Sequence, residues 1–214
     1  MLSYRLLKNN TGLLLIGDYT SLRALHKVVH DINERSPLIK DKEGLFLNLA
    51  YDIRKAYEQQ REILEAPHEY EEMGLQYGVQ QILPVILLQH RMMRTSLGYF
   101  DHSKMHQAMT YALEDVLENV VREIFKGDAQ AIIDRWQWID PAYPGVFDLL
   151  YGRTGLFCSW TKSERRKRFI NLLESFDTHY ETSHRYRFHS GKQGLPTPGE
   201  FEIFEKLEWP DPKW

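Results

Sequence analysis

One cysteine, Cys158, stands in 214 residues, so no disulfide can form within the chain. That usage suits a reducing compartment. No apolar run approaches the ~20 residues that a membrane-spanning helix needs; the longest is ILPVILL at 82–88. The opening MLSYRLLKNNTGLLLIG places polar KNNTG where a secretory signal requires unbroken apolar residues. Positive charge is not in excess either: 27 Lys and Arg face 30 Asp and Glu, a net charge of −3. Such a balance argues against a surface coated for nucleic acid. There is no internal repeat, no low-complexity segment, and no Walker, Rossmann or Ser–His–Asp pattern. TSLGYF and YGRTG have too few glycines in place for a phosphate loop. These absences lead to the expectation of a soluble cytoplasmic protein with no membrane partner and no cofactor.

What is present is an ordinary folding composition, 43% hydrophobic and 27% charged. The expected fold is α+β and mainly helical, a single domain over 1–214. Its parts are a β-hairpin (1–18), a helical body of about six helices (19–189) and a Pro-rich docked tail (190–214). SYRLLK and LLLIGD flank NNTG, where Asn and Gly tolerate the positive φ of a tight turn. LQYGV is a candidate third strand beside that hairpin. TSLRALHKVVHDINER repeats apolar residues at helical spacing, with Asp18 or Thr20 as N-cap. Residues 43–64 read as one long central helix covered on both sides, by the stripe through Phe46, Leu49 and Ile53 and by Leu47 and Tyr51 opposite. Pro84 fits the first turn of a helix over about 83–97. Further helices are expected at 101–125, capped by Asp101, and near 128–138. Apolar VFDLLYGRTGLFCSW is expected to be buried, and Thr161 with Glu164 has the spacing of a capping box.

Several phrases in order, TG and GDY in the hairpin, LHKVVH, AYDIRKAY, YG shortly before LPV, and the closing WPDPKW, run through nearly the whole chain. Together they resemble an uncharacterised family of bacterial proteins, a domain of unknown function. The resemblance implies a bacterial cytosolic protein and brings no activity with it.

Two histidine pairs at i, i+4 raise the question of metal. His26 and His30 point away from the apolar stripe of their helix and read as surface groups. His102 and His106 fall on the side of Met105, Met109 and Leu113, as packed neutral rings or as metal ligands with His90 as a third. Two imidazoles do not complete a zinc site, which needs three protein ligands or more. Gln89 is either a buried structural amide or the polar wall of a small cavity. Asp52 and Arg54 lie two residues apart and cannot face each other; Arg94 is the expected partner of Asp52.

The 153–192 region carries the main functional signal. Nine Lys and Arg face four Asp and Glu there, a local charge of +5. Candidate binding residues are Arg153, Lys162, Arg165, Arg166 and Arg168, with Arg185 and Arg187 from HRYRFH, where cations alternate with aromatics. The leading expectation is a non-enzymatic protein that binds or regulates a macromolecular partner, an unknown protein or a second copy of itself. The alternatives are a nucleic-acid or phosphate binder through 153–192, and a metal-dependent hydrolase through His102 and His106.

Overall fold

In the computed structural model, residues 1–65, 74–143, 145–177, 179–180, 195–205 and 208–214 are described. The fold is α+β and mainly helical, with a small N-terminal sheet. The chain packs as two compact units. The first comprises Met1–Leu6, Leu13–Gln81 and Met92–Val120; the second comprises Leu7–Gly12, Ile82–Arg91 and Val121–Trp214.

The first unit holds a four-stranded sheet, β1 (Ser3–Leu6), β2 (Gly12–Asp18), β3 (Glu62–Leu64) and β4 (Gln76–Ile82), in the order β1-β2-β4-β3. Strand β1 (Ser3–Leu6) pairs antiparallel with β2 (Gly12–Asp18), Ser3 opposite Ile16 and Leu6 opposite Leu13. The connection turns through Asn9 and Asn10, at φ 57° and 56°, where asparagine tolerates a left-handed backbone. Leu13, Leu14 and Leu15 are fully buried, so β2 is covered on both faces, as its unbroken apolar run requires. The expected third strand is present as β4 (Gln76–Ile82), in which Gly78 leaves room for Leu14. A fourth, β3 (Glu62–Leu64), pairs antiparallel with β4.

That fourth strand corrects the long helix expected over 43–64. Helix α2 (Leu45–Tyr57) ends where Gln59 takes φ 64°, and the chain then extends into β3. Helix α1 (Tyr19–Arg35) starts under Asp18, whose carboxylate accepts the Ser21 N–H at 2.8 Å, and packs on α2, with Leu22, Leu25, Val29 and Ile32 buried. Leu47 is buried as expected, but Tyr51 is 40% exposed, with the Arg54 guanidinium over its ring at 5.3 Å. A phenol keeps its polar tip in water at little cost, which period alone does not reveal. Asp52 pairs with Arg61 at 3.3 Å and Arg94 with Glu114 at 3.2 Å, in place of the expected Asp52–Arg94 pair.

Helix α3 (Leu83–Ser96) begins with Pro84 in its first turn, and α4 (Lys104–Phe125) follows. In the second unit, α5 (Ala129–Gln137) buries Trp136, whose indole N–H donates to the Leu87 carbonyl at 2.7 Å. Helix α6 (Val146–Ser159) is buried along most of its length, and α7 (Lys162–Glu174) opens with the Thr161–Glu164 capping box. Phe169 of α7 stacks on Phe125 with centroids 5.0 Å apart. The tail holds a helix that was not expected, α8 (Pro198–Glu205). It starts by the same local code: Thr197 and Glu200 exchange hydrogen bonds around Pro198. It packs on α6 where Gly152 and Gly155 remove side chains from the contact. Trp209 donates to the Tyr151 carbonyl at 3.0 Å, whereas Trp214 stays 39% exposed.

Candidate functional site

The cations that open α7 have unequal fates. Arg165 is 2% exposed: Nε donates to Phe157 O at 3.0 Å, Nη2 to Cys158 O at 2.7 Å and Nη1 to Asn9 O at 3.0 Å. Phe157 and Cys158 belong to the last turn of α6, whose free carbonyls form the negative end of the helix dipole. A buried guanidinium there is compensated by carbonyl oxygens. Arg153 does the same for α7: Nη2 donates to the C-cap Ser175 O at 2.6 Å, and Nε to Ser175 Oγ at 2.8 Å.

Arg168 is half-buried, pairs with Glu200 at 3.1 Å, and lies over the Trp160 ring at 4.7 Å. Lys162, Arg166 and Lys167 are exposed and have no carboxylate partner among the described residues. Arg185 and Arg187 lie outside the described residues. The single accessible patch expected from these cations is therefore corrected at Arg153 and Arg165, which brace the interior. Arg165 shares a helical face with Phe169 and Leu172, and that spacing is the signal that places it inside.

Around the histidines the decisive fact is where α4 starts. Ser103 takes the N-cap position, its carbonyl accepting the His106 N–H at 3.1 Å, while the Asp101 carbonyl accepts from Arg35 at 2.6 Å. His102 thus precedes the helix, and the shared helical face expected for His102 and His106 does not form. His102 donates through Nδ1 to Phe100 O at 3.3 Å and accepts at Nε2 from the Gln107 amide at 2.8 Å. His90 belongs to the second unit, fully buried against the Trp136 ring at 5.1 Å. His26 and His30 are half-buried, with rings 4.8 Å apart, and His26 Nδ1 is 3.4 Å from the Tyr57 hydroxyl. The surface position expected for this pair is corrected to that extent: Tyr57 of α2 packs on His26, ring centroids 5.7 Å apart, and His26 on His30. Among the described residues no group of three or more His, Cys, Asp or Glu side chains could hold a metal ion.

His106 instead joins a different set. The ring is buried, 6% exposed, edge-on to Phe100 at 5.8 Å. Its Nδ1 receives two donors from Ser103, the hydroxyl at 2.8 Å and the backbone N–H at 3.2 Å. An atom accepting from a backbone N–H carries no proton, so the ring proton sits on Nε2, which faces Asp31 Oδ2 at 3.5 Å. Burial holds the His106 pKa below the ordinary value; Asp31 opposes this, and Arg35, His102 and Lys27 reinforce it. Ser103 and Asp31 were not singled out from the sequence, because the spacing between α1 and α4 is invisible in it.

Among the described residues of the second unit, two of the cavities bear on binding. The larger, about 440 Å³, is walled by Leu149, Arg153, Tyr180, Phe201 and Glu205. Its inner polar groups are engaged in the fold: Arg153 as above, and the Tyr180 hydroxyl on Pro196 O at 2.5 Å. The smaller, about 210 Å³, has Ile139, Leu173 and Phe176 on its walls and Arg135, Asp140 and Asp177 among its charged groups. Trp138 stands at its edge, 81% exposed.

Gln89 is buried in the structure, 1% exposed. Cys158 is buried too, and burial pushes its thiol up to about 11 against the pull of Arg165. No helix among the described residues is long and apolar enough to cross a membrane.

No curated protein and no solved structure matches this chain. One family model does, over residues 2–214, and the chain belongs to that family, described as Domain of unknown function (DUF6904).

Proposed function

We propose that this chain is a bacterial cytosolic protein that binds a macromolecular partner, with the cavity beside Trp138 as the anchor point. The observation that carries the reading is Trp138 itself. Tryptophan is large and apolar, is normally well buried on average, and is enriched among residues that dominate binding energy at interfaces. Here the ring is 81% exposed beside apolar walls. At about 210 Å³ the cavity is smaller than sites for drug-sized ligands or cofactors, which run to ~300 Å³ and more. It suits one inserted side chain. Arg135 pairs with Asp177 at 3.8 Å, which leaves Asp140 as the carboxylate in excess; beside an indole face it favours a cation, so the fitting anchor is a Lys or Arg side chain on a partner protein.

The test is binding of an arrayed set of Lys- and Arg-containing peptides, read by quenching of tryptophan fluorescence and by calorimetry. Binding should vanish in Trp138→Ala while circular dichroism is unchanged. Peptide binding that survives Trp138→Ala would remove the site from consideration.

A second reading is favoured by the three exposed cations of α7. Lys162, Arg166 and Lys167 lack carboxylate partners among the described residues and sit in the first turns of a helix, where anions are stabilised. They support contact with phosphate or nucleic acid. Phosphate contacts release counterions, so such binding should fall steeply with salt and be lost in Arg166→Glu with Lys167→Glu. Affinity that is indifferent to salt would speak against it.

A further inference from the structure

We propose that Ser103, His106 and Asp31 form a serine-nucleophile site able to accept an acyl group from small carboxylic esters. The geometry comes first. Ser103 is exposed, and its hydroxyl lies 2.8 Å from His106 Nδ1, within the reach required of a nucleophile and its base. His106 Nδ1 is the unprotonated nitrogen, because it also accepts the Ser103 N–H at 3.2 Å. The opposite nitrogen of this buried ring has no formed hydrogen bond, and Asp31 stands 3.5 Å from it. Separations of that size tighten when a base takes on charge. Asp31 is thus a positioning residue: it orients the ring and stabilises the imidazolium that forms during transfer. The ring nitrogens serve the serine and the aspartate in the order opposite to that of the serine proteases, but the roles are the same.

Ser103 also precedes a helix of 22 residues. The N–H groups of Lys104 and Met105 have no acceptor within the helix, and they point out of its N-terminus beside the serine. They are donors for the oxyanion that forms when the acyl carbon becomes tetrahedral. Phe100 packs on the base, and Met105 is 55% exposed next to the serine, giving an apolar surface for a short acyl chain.

The step balances as follows. Ser103 Oγ bonds to the acyl carbon while its proton moves to His106 Nδ1. The carbon–oxygen bond to the leaving alcohol breaks, and that oxygen takes the proton from His106. Water then attacks the acyl-serine, giving its proton to His106, which returns it to Ser103 Oγ as the acid departs.

The probe is a fluorophosphonate, read by intact mass and peptide mapping, with an aryl acetate to detect a burst of product. Wild-type protein should gain one adduct on Ser103. Ser103→Asp preserves the N-cap and removes the nucleophile, so it should fold and take no adduct. His106→Gln should slow labelling about 100-fold or more, as loss of a general base does. Asp31→Asn should slow labelling and displace its pH profile. A folded wild-type protein that gains no adduct on Ser103, or labelling that His106→Gln leaves unchanged, would overturn the proposal.

Discussion

Arg153 and Arg165 close each other's helices. Arg165, at the start of α7, donates to the Phe157 and Cys158 carbonyls at the end of α6; Arg153, within α6, donates to the Ser175 carbonyl at the end of α7. With two residues between them, the helices run in opposite directions, and each carries the cation that the other's C-terminus requires. Both guanidiniums also lie over aromatic rings, Arg153 over Phe201 at 4.4 Å and Arg165 over Phe157 at 5.2 Å. Carbonyl dipoles and ring faces together offset the desolvation of two buried charges.

Replacing Arg165 with Met is therefore expected to destabilise the protein by about 2–4 kcal/mol, because it strands the buried carbonyls of Phe157 and Cys158. Arg165→Lys should also lose stability, since one ammonium cannot span carbonyls from α6 and from Asn9 as a fork does. Lys167→Glu, at an exposed position, should shift stability by no more than about 0.5 kcal/mol. Urea unfolding of the three variants checks the ordering; equal effects would contradict it.

Cys158 should resist thiol reagents in the native state. The thiolate is the reactive form, and a buried thiol near 11 supplies very little of it at neutral pH. Reaction with a colorimetric disulfide reagent should be slow in buffer and complete within the mixing time in denaturant.

Acid should destabilise the fold before the carboxylates titrate. Burial lowers the pKa of both His26 and His106 in the folded state. As pH falls below the unfolded value of 6.5, the unfolded chain binds protons that the folded one refuses, and stability is lost. Around His106 the ring faces Asp31, which opposes the shift, and Arg35, Lys27 and His102, which reinforce it. Thermal unfolding from pH 7 to 5 should show a falling Tm, with a shallower slope in His106→Gln. A flat profile in the wild-type protein would show that these rings gain no protection from the fold.

Gly155 is the position where α8 comes closest to α6. A Cβ there would collide with the Phe204 side chain, so Gly155→Ala should cost about 1–3 kcal/mol, as overpacking does. Gly127, with open space around its Cα, is the control: alanine there should meet no clash. Chemical denaturation of both variants gives the comparison, and a neutral Gly155→Ala would mean that α8 does not pack closely on α6.

Elements whose codes are local were legible along the chain. Asp18, one of two candidates, caps α1, Pro84 sits in the first turn of α3, Thr161 and Glu164 box the start of α7, and Asn9 and Asn10 turn the hairpin. In each, the groups that interact are a few residues apart, so their spacing can be read along the chain. Contacts between distant segments set the others. Residues 62–64 became a strand because β4 offered them an edge. Tyr51 stayed 40% exposed because no element among the described residues covers its outer side. Of the cations on α7, Arg165 went inside because it meets the free carbonyls of α6, while Arg166, one residue on, turns to solvent. Asp31 came to face His106 because α1 brings it to the head of α4. The physical reason is the same in all four. Burial, helix-end dipoles and proton-sharing geometry depend on which distant segment supplies the other half, and periodicity reports a face without naming what covers it.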